Sequence, residues 1–172
     1  MGMVHLYCGD GKGKTTAAVG LAVRFAGNGG PVVFSQYLKP GNSSELAVLR
    51  GLEQVSVLVC DEPFGFYKNM TDEVREKARA SYSALFRRAR DLALAQGGLL
   101  VLDELCAACR YGLVPKEEVL ALLRQLPEDL EVVITGRDPD EALLQRADYI
   151  TEMKKLRHPF DQGIYARKGV EY

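Results

Sequence analysis

Eight consecutive residues, Gly9-Asp10-Gly11-Lys12-Gly13-Lys14-Thr15-Thr16, gather glycines, lysines and hydroxyls into one short run. That mixture suits a polyphosphate. Glycines permit a strained turn whose backbone N–H groups converge on phosphate oxygens, and a helix that starts there points its positive end at the same anion. Lys14 adds a point charge worth about 4 kcal/mol per unit charge at 4 Å with an effective dielectric of 20. The Thr15 hydroxyl can bind Mg²⁺. The spacing departs from G-x-x-x-x-G-K-[ST] only at its first position, which Cys8 occupies. Further along, Gly97 to Leu105 reads GGLLVLDEL, an apolar run ending in Asp103 and Glu104, where a Mg²⁺-associated acid belongs in a phosphate-loop protein. Glycine-rich turns join strands to helices in many folds, and an Asp-Glu pair can merely favour a helix N-terminus. The two motifs together point to binding of ATP with Mg²⁺.

The elements that must position these residues follow from the hydrophobic pattern. Short β-rich runs occur at Met3 to Cys8, Val32 to Tyr37, Val55 to Cys60, Leu99 to Asp103 and Val132 to Thr135, and read as buried parallel strands. Between them, Thr15 to Ala26, Ser44 to Leu52, Thr71 to Gln96, Pro115 to Gln125 and Pro139 to Arg146 read as helices, with starting signals at Thr71, Pro115 and Pro139. Repeated βαβ units without a linker, low-complexity tract or internal repeat predict one domain over residues 1–172. Its fold class is α/β: a three-layer, RecA-like P-loop fold with a mostly parallel central sheet, whose ligands gather at the carboxyl ends of the strands.

The 172 residues allow a normal core, burying roughly 70% of the unfolded surface. A net charge of -1 with 26% charged residues gives no basic excess for nucleic acid or anionic lipid, and a small-molecule ligand fits better. No apolar run approaches the ~18 residues that span a bilayer, and no signal peptide is evident, which places the chain in the cytoplasm. The four cysteines are expected to be reduced, with Cys106 and Cys109 packing in a helix after the acidic strand end rather than doing redox chemistry.

Several further segments resemble one family, the ATP:corrinoid adenosyltransferases, and the likeness covers nearly the whole chain. The loop GDGKGKTT with its displaced first glycine, Arg24 in the first helix, Asp103-Glu104-Leu105, Ile134-Thr135-Gly136-Arg137, Arg157-His158-Pro159-Phe160-Asp161-Gln162-Gly163 and the closing Gly169-Val170-Glu171-Tyr172 all resemble the family's segments. The resemblance implies that Gly9 to Thr16 hold the triphosphate, that Thr15 and Glu104 hold Mg²⁺ with Asp103 acting behind them, and that Arg24 and Arg137 support the nucleotide. It also implies that ATP lies reversed, presenting C5′ to the Co(I) of a reduced corrinoid, so that adenosyl transfer releases triphosphate. Co(I) is itself the nucleophile, so no general base is expected; Lys14, Lys12, the loop N–H groups and the Mg²⁺ that Glu104 holds stabilise the departing triphosphate. An electron donor for Co(II) and a homodimeric assembly are implied as well.

The family uses aromatic residues after the third strand to displace the corrinoid's lower ligand. Here that loop is Pro63-Phe64-Gly65-Phe66-Tyr67-Lys68-Asn69-Met70. Phe66 follows the glycine as the pattern wants, with Tyr67 beside it, whereas Lys68 stands where tryptophan is common. Phe64, Phe66 and Tyr67 could simply pack the loop, yet such a cluster at a strand's carboxyl end suits a flat macrocycle. Longer members carry an N-terminal helical segment over the site, whereas this chain begins almost directly with its first strand, so capping of the corrinoid is expected to be looser or to come from elsewhere. Glu45 is a candidate ribose contact or a solvated carboxylate at a helix start. His5 reads as a satisfied strand histidine, and Lys154, Lys155, Arg157, Arg167 and Lys168 as a basic, largely solvated tail. Two other functions fit the loop: a kinase or ATPase attacking the γ-phosphate, and an ATP-gated corrinoid carrier.

Overall fold

A computed structural model describes residues 2–60 and 62–171. Six strands, β1 (Val4–Cys8), β2 (Val32–Gln36), β3 (Val55–Val59), β4 (Gly98–Asp103), β5 (Leu130–Thr135) and β6 (Tyr149–Glu152), form one sheet in the order β3-β2-β4-β5-β1-β6. Every pairing is parallel, so the mostly parallel expectation resolves to a fully parallel sheet among the described residues. The helices are α1 (Lys14–Gly27), α2 (Ser44–Arg50), α3 (Asp72–Gln96), α4 (Leu105–Arg110), α5 (Lys116–Arg124) and α6 (Glu141–Arg146).

Alternation along the strands builds two cores. On β4, Leu99 and Val101 face one layer with α1 and α2, while Leu100 and Leu102 face the other with α3, α4 and α5. Helix α1 meets the sheet through Ala18, Ala22 and Ala26, spaced by four residues and all buried. Such small side chains let the helix lie close, and enlarging Ala22 to Leu would cost about 1–3 kcal/mol through overpacking. Thr71 caps α3 by accepting from the Val74 N–H, in keeping with the starting signal read there. Helix α2 stops at Arg50, two residues before the predicted Leu52, and α6 is capped by Asp140 rather than opened at Pro139.

Strand β6 is the element absent from the pattern-based assignment. Its residues are exposed, so no apolar run marks them; it exists by backbone pairing with β1, His5 opposite Tyr149 through Cys8 opposite Glu152. Its continuation braces the phosphate loop. The Met153 N–H donates to Cys8 O at 2.9 Å, and the Gly11 N–H donates to Met153 O at 2.7 Å. A Cβ on Gly9, which has φ +95°, would come within 2.6 Å of that Met153 oxygen, and one on Gly11 within 2.5 Å. Both glycines are therefore demanded by this close approach as well as by the ligand they would face.

Candidate active site

The loop between β1 and α1 closes on itself around Lys14. Gly13, at φ 118°, is the N-cap of α1, leaving the helix's first N–H groups open at the loop. The buried Lys14 Nζ donates to Gly9 O at 2.7 Å and to Gly11 O at 2.8 Å, which holds the loop in a curve. Burial, and secondarily the Arg137 charge, pull the Lys14 pKa down, while Glu104 and Asp10 pull the other way. Asp10 Oδ1 accepts from the Lys155 N–H, fastening the loop to the segment beyond β6; that bond is the main reason its carboxyl lies below the usual range. Lys12 and Thr16 are exposed on the outer side.

Behind the loop, Asp103 is the hub of a buried polar network. Its Oδ1 accepts from Thr15 Oγ1 at 2.9 Å and Thr135 Oγ1 at 2.7 Å; its Oδ2 accepts from Gln36 Nε2 at 3.1 Å and Lys39 Nζ at 2.9 Å. Four donors use up the lone-pair sites of a carboxylate that is 0% exposed. Register explains the assembly: Gln36, the last residue of β2, lies opposite Asp103, the last of β4, and Thr135 ends the neighbouring β5. Lys39 also donates to Thr15 Oγ1 at 3.1 Å. Gln36 and Lys39 were not among the sequence candidates, and Thr135 was noted only within a motif. A lysine just past the carboxyl end of a central strand was the available signal for Lys39.

Glu104 differs from its neighbour. Its N–H donates to Thr135 Oγ1, but among the described residues its carboxylate accepts no hydrogen bond and faces the cavity beside Lys14. Burial first, then the Asp103 charge, push its pKa up, partly offset by Lys39, Lys14 and Arg137. Glu104 sits at φ 63°; Leu38 at φ 57° and Asp138 at φ 47° are the other described non-glycine residues with positive φ. All three lie just past the carboxyl ends of β2, β4 and β5. Such conformations cost about 1–3 kcal/mol each and cluster at functional sites.

Two cavities flank Lys14 and Thr15. One, of about 420 Å³, is lined by Lys14, Glu104, Arg137, Phe66, Tyr67 and Arg110 among others, and so joins the phosphate loop to the aromatic loop. Phe66 is 79% exposed at its mouth. Tyr67 stacks on Tyr111 with centroids 4.2 Å apart and planes 4° from parallel, and Arg75 and Arg110 cover the two rings at 5.0 and 5.2 Å. That pile fixes the loop which presents Phe66. Lys68 lines the same cavity and is exposed. The other cavity, about 340 Å³, lies between Thr15, Thr16, Lys39 and Glu45 and the tail residues Gly169 to Glu171. Glu45 accepts from Gln36 Nε2 at 3.3 Å, which couples it to the Asp103 network. Glu171 pairs with Arg167 at 2.9 Å, which holds its carboxyl at about 2. Tyr172, part of the tail motif, lies outside the described residues.

Arg24 is not drawn into this assembly. It is exposed in the last turn of α1, about 15 Å along the helix from Lys14 at 1.5 Å per residue, and lines neither cavity. His5 bonds Glu131 at 2.8 Å and stacks on Tyr149, a structural role. The Cys106 and Cys109 thiols are free and are pushed up to about 12, chiefly by burial, which disfavours the thiolate.

A hard divalent cation fits the oxygens present. Lys39 places a positive charge between Thr15 Oγ1 and Asp103 Oδ2, and Glu104 offers an open carboxylate nearby. No group of three or more acidic, His or Cys side chains that could hold a metal occurs among the described residues, so such an ion would complete its shell with phosphate oxygens and water, as Mg²⁺ prefers.

A parallel sheet with a glycine-rich loop opening α1 and a buried acid at the end of β4 defines a P-loop nucleotide-binding protein. Over residues 1–172 the chain matches the family described as ATP:corrinoid adenosyltransferase BtuR/CobO/CobP. It is 37% identical over 173 residues to a corrinoid adenosyltransferase of Pseudomonas aeruginosa, covering 99% of this chain and 84% of the relative. It is 35% identical over 176 residues to corrinoid adenosyltransferase CobA of Salmonella typhimurium, covering 99% and 86%. The chain belongs to the ATP:corrinoid adenosyltransferase family. Among solved structures, the cytoplasmic domain of EssC shares the fold at a TM-score of 0.57 and 15% identity, over 97% of this chain and 34% of that one.

Proposed function

We propose that the protein transfers the 5′-deoxyadenosyl group of ATP to the Co(I) of a reduced corrinoid, giving an adenosylated corrinoid and triphosphate. The observation that carries this reading is the cavity shared by Lys14, Glu104, Arg137 and Phe66, because it sets a phosphate site directly beside an exposed aromatic loop. A γ-phosphate acceptor has no need of that loop, whereas a flat macrocycle does.

In this reading the chain's own groups bind and orient. The loop N–H groups and Lys14 take the triphosphate, with Arg137, which has no ion-pair partner among the described residues, beside it. The cobalt lone pair attacks C5′ from the aromatic side, the Co–C bond forms as C5′–O breaks, and the electron pair leaves on the triphosphate oxygen. Charge grows on that oxygen, so fixed cations that need no reorganisation lower the barrier. Thr15 and Glu104 would hold Mg²⁺, which when bound neutralises phosphate charge. Asp103 acts through Thr15, whose hydroxyl hydrogen it receives, and thereby leaves the Thr15 lone pairs facing outward. In this reading Phe66, exposed on the cavity lining, meets the lower face of the corrinoid, and the Tyr67–Tyr111 stack holds its loop. Glu45, which lines a cavity with Thr15 and Thr16, meets the nucleotide in this reading.

We also assign the protein to the cytoplasm, as a homodimer served by an electron donor for Co(II). No helix among the described residues is long and apolar enough to cross a membrane. The reading is tested by anaerobic incubation with ATP, Mg²⁺ and chemically reduced cobalamin. A light-sensitive adenosylated corrinoid should appear only with all three present; ATP consumption with no Co–C bond formed would refute it.

A further inference from the structure

Lys39 occupies an unusual position for a surface-loop lysine. It follows Leu38, held at φ 57°, and precedes Pro40, so the backbone fixes where its stem starts. Its ammonium rests on Asp103 Oδ2 at 2.9 Å and Thr15 Oγ1 at 3.1 Å. Among the described residues it is the one side-chain cation in an ion pair with Asp103, whose side chain is wholly buried while that of Lys39 is 26% exposed. A buried carboxylate without a counter-charge is strongly unfavourable, so this pair compensates the site when no ligand is bound.

The same atoms make the pair incompatible with a metal. Thr15 gives its hydroxyl hydrogen to Asp103, so Lys39 takes the oxygen's lone-pair side, the side a cation must also use. A metal at about 2.1 Å from that oxygen on the same side would overlap the ammonium, which now rests 3.1 Å from it, so the two positive charges exclude each other. Nor is the present network complete. Gln36, 1% exposed, spends its Nε2 on Asp103 and Glu45, while its Oε1 is buried without a partner. That atom awaits a donor such as a water on a bound cation. The Lys39 side chain has somewhere to go, because it borders the cavity formed with Thr16 and Glu45 beside the phosphate loop.

We propose that Lys39 is a resident counter-cation: it fills the metal position between Thr15 and Asp103 in the free protein, then moves onto the triphosphate when the metal and nucleotide arrive. It thereby keeps the empty site folded and afterwards adds a charge to the leaving group. The proposal rests on the metal–nucleotide reading given above, and concerns a residue to which that reading assigns no role.

The test compares the full chain with Lys39→Met, which keeps the apolar stem, and Lys39→Gln, which keeps a donor should Met fold poorly. Thermal midpoints are measured with no ligand and with saturating Mg²⁺–ATP, and Mn²⁺ is titrated into nucleotide-free protein by electron paramagnetic resonance. Both variants should melt several degrees below wild type without ligand, should recover part of that deficit with Mg²⁺–ATP, the remainder being the charge Lys39 gives the triphosphate, and should bind Mn²⁺ several-fold tighter. A merely structural lysine would not tighten Mn²⁺ binding. Equal deficits with and without ligand, or unchanged or weaker Mn²⁺ binding, would overturn the proposal while leaving adenosyl transfer standing. Absence of any Mg²⁺–ATP stabilisation in the wild type would take both down.

Discussion

Adjacent carboxylates at the end of β4 should respond in opposite directions to neutralisation. Replacing Asp103 by Asn puts an amide NH₂ among four donors. The least damaging orientation turns it toward the two threonine hydroxyls, which must then rotate, while the amide oxygen keeps Gln36 and loses the charge that holds Lys39. Removing one partner of a buried ion pair costs about 3–5 kcal/mol, and the lower end applies because the Lys39 side chain is 26% exposed and can turn to water. About 3 kcal/mol should lower the melting temperature by roughly 6–12 °C in a chain of this size. Glu104→Gln removes no hydrogen bond to the carboxylate. Because burial and Asp103 raise the Glu104 pKa in the folded protein, its ionised form opposes folding; wild type loses stability as pH rises through that raised value. The Gln variant should therefore be at least as stable as wild type at neutral pH, and the difference should vanish as pH falls and Glu104 takes up its proton. Circular-dichroism melts of both variants between pH 4 and 8, paired with Mg²⁺-dependent activity, decide the matter, since Glu104→Gln should lose far more activity than Asp103→Asn per folded molecule. A destabilised Glu104→Gln, or an Asp103→Asn that melts within about 2 °C of wild type, would refute the division of roles.

Lys14→Ala should leave the sheet and its cores intact but reduce kcat/KM by about 10³, from about 4 kcal/mol of lost charge stabilisation; a variant of wild-type activity would remove the loop from the mechanism. Phe66→Ala should slow reaction from cob(II)alamin with a mild reductant much more than reaction from pre-reduced cob(I)alamin, and equal losses would mean that Phe66 only shapes the cavity. Tyr111→Leu, which breaks the stack on Tyr67, should reproduce part of the Phe66→Ala defect without touching ATP binding; an effect on ATP binding alone would contradict the loop-anchoring role. Lys68→Trp should enlarge the rate from cob(II)alamin, measured with the same mild reductant, and a slower variant would count against a shared role with Phe66.

What could be read directly from the chain was local. Gly9 to Thr16 carry their chemistry in consecutive residues; β2, β4 and β5 announce themselves because burial on both faces demands apolar runs, and β1 and β3, less fully buried, still carry apolar residues along their length. Strand β6 escaped because Tyr149–Glu152 is held by pairing and not by burial, and with it went the Met153 brace that Gly9 and Gly11 accommodate. The Asp103 network was hidden for a different reason. Gln36, Lys39 and Thr135 meet Asp103 only because β2, β4 and β5 end level with one another, which depends on register and on strand order. Tyr111 likewise reaches Tyr67 across 44 positions by way of α4. Arg24 carries the converse lesson, since a motif fixes its place in the helix but ten residues of rise carry it away from the loop.

Adenosyl transfer and every phosphoryl-transfer alternative differ in the bond that breaks, which an isotope can report. ATP carrying ¹⁸O in the oxygen that bridges C5′ to the α-phosphorus, reacted anaerobically with Mg²⁺ and chemically reduced cobalamin, should yield intact triphosphate retaining the label, with adenosylcobalamin in equal amount. ADP that keeps the label together with unlabelled inorganic phosphate would place the attack at the γ-phosphorus and contradict the account.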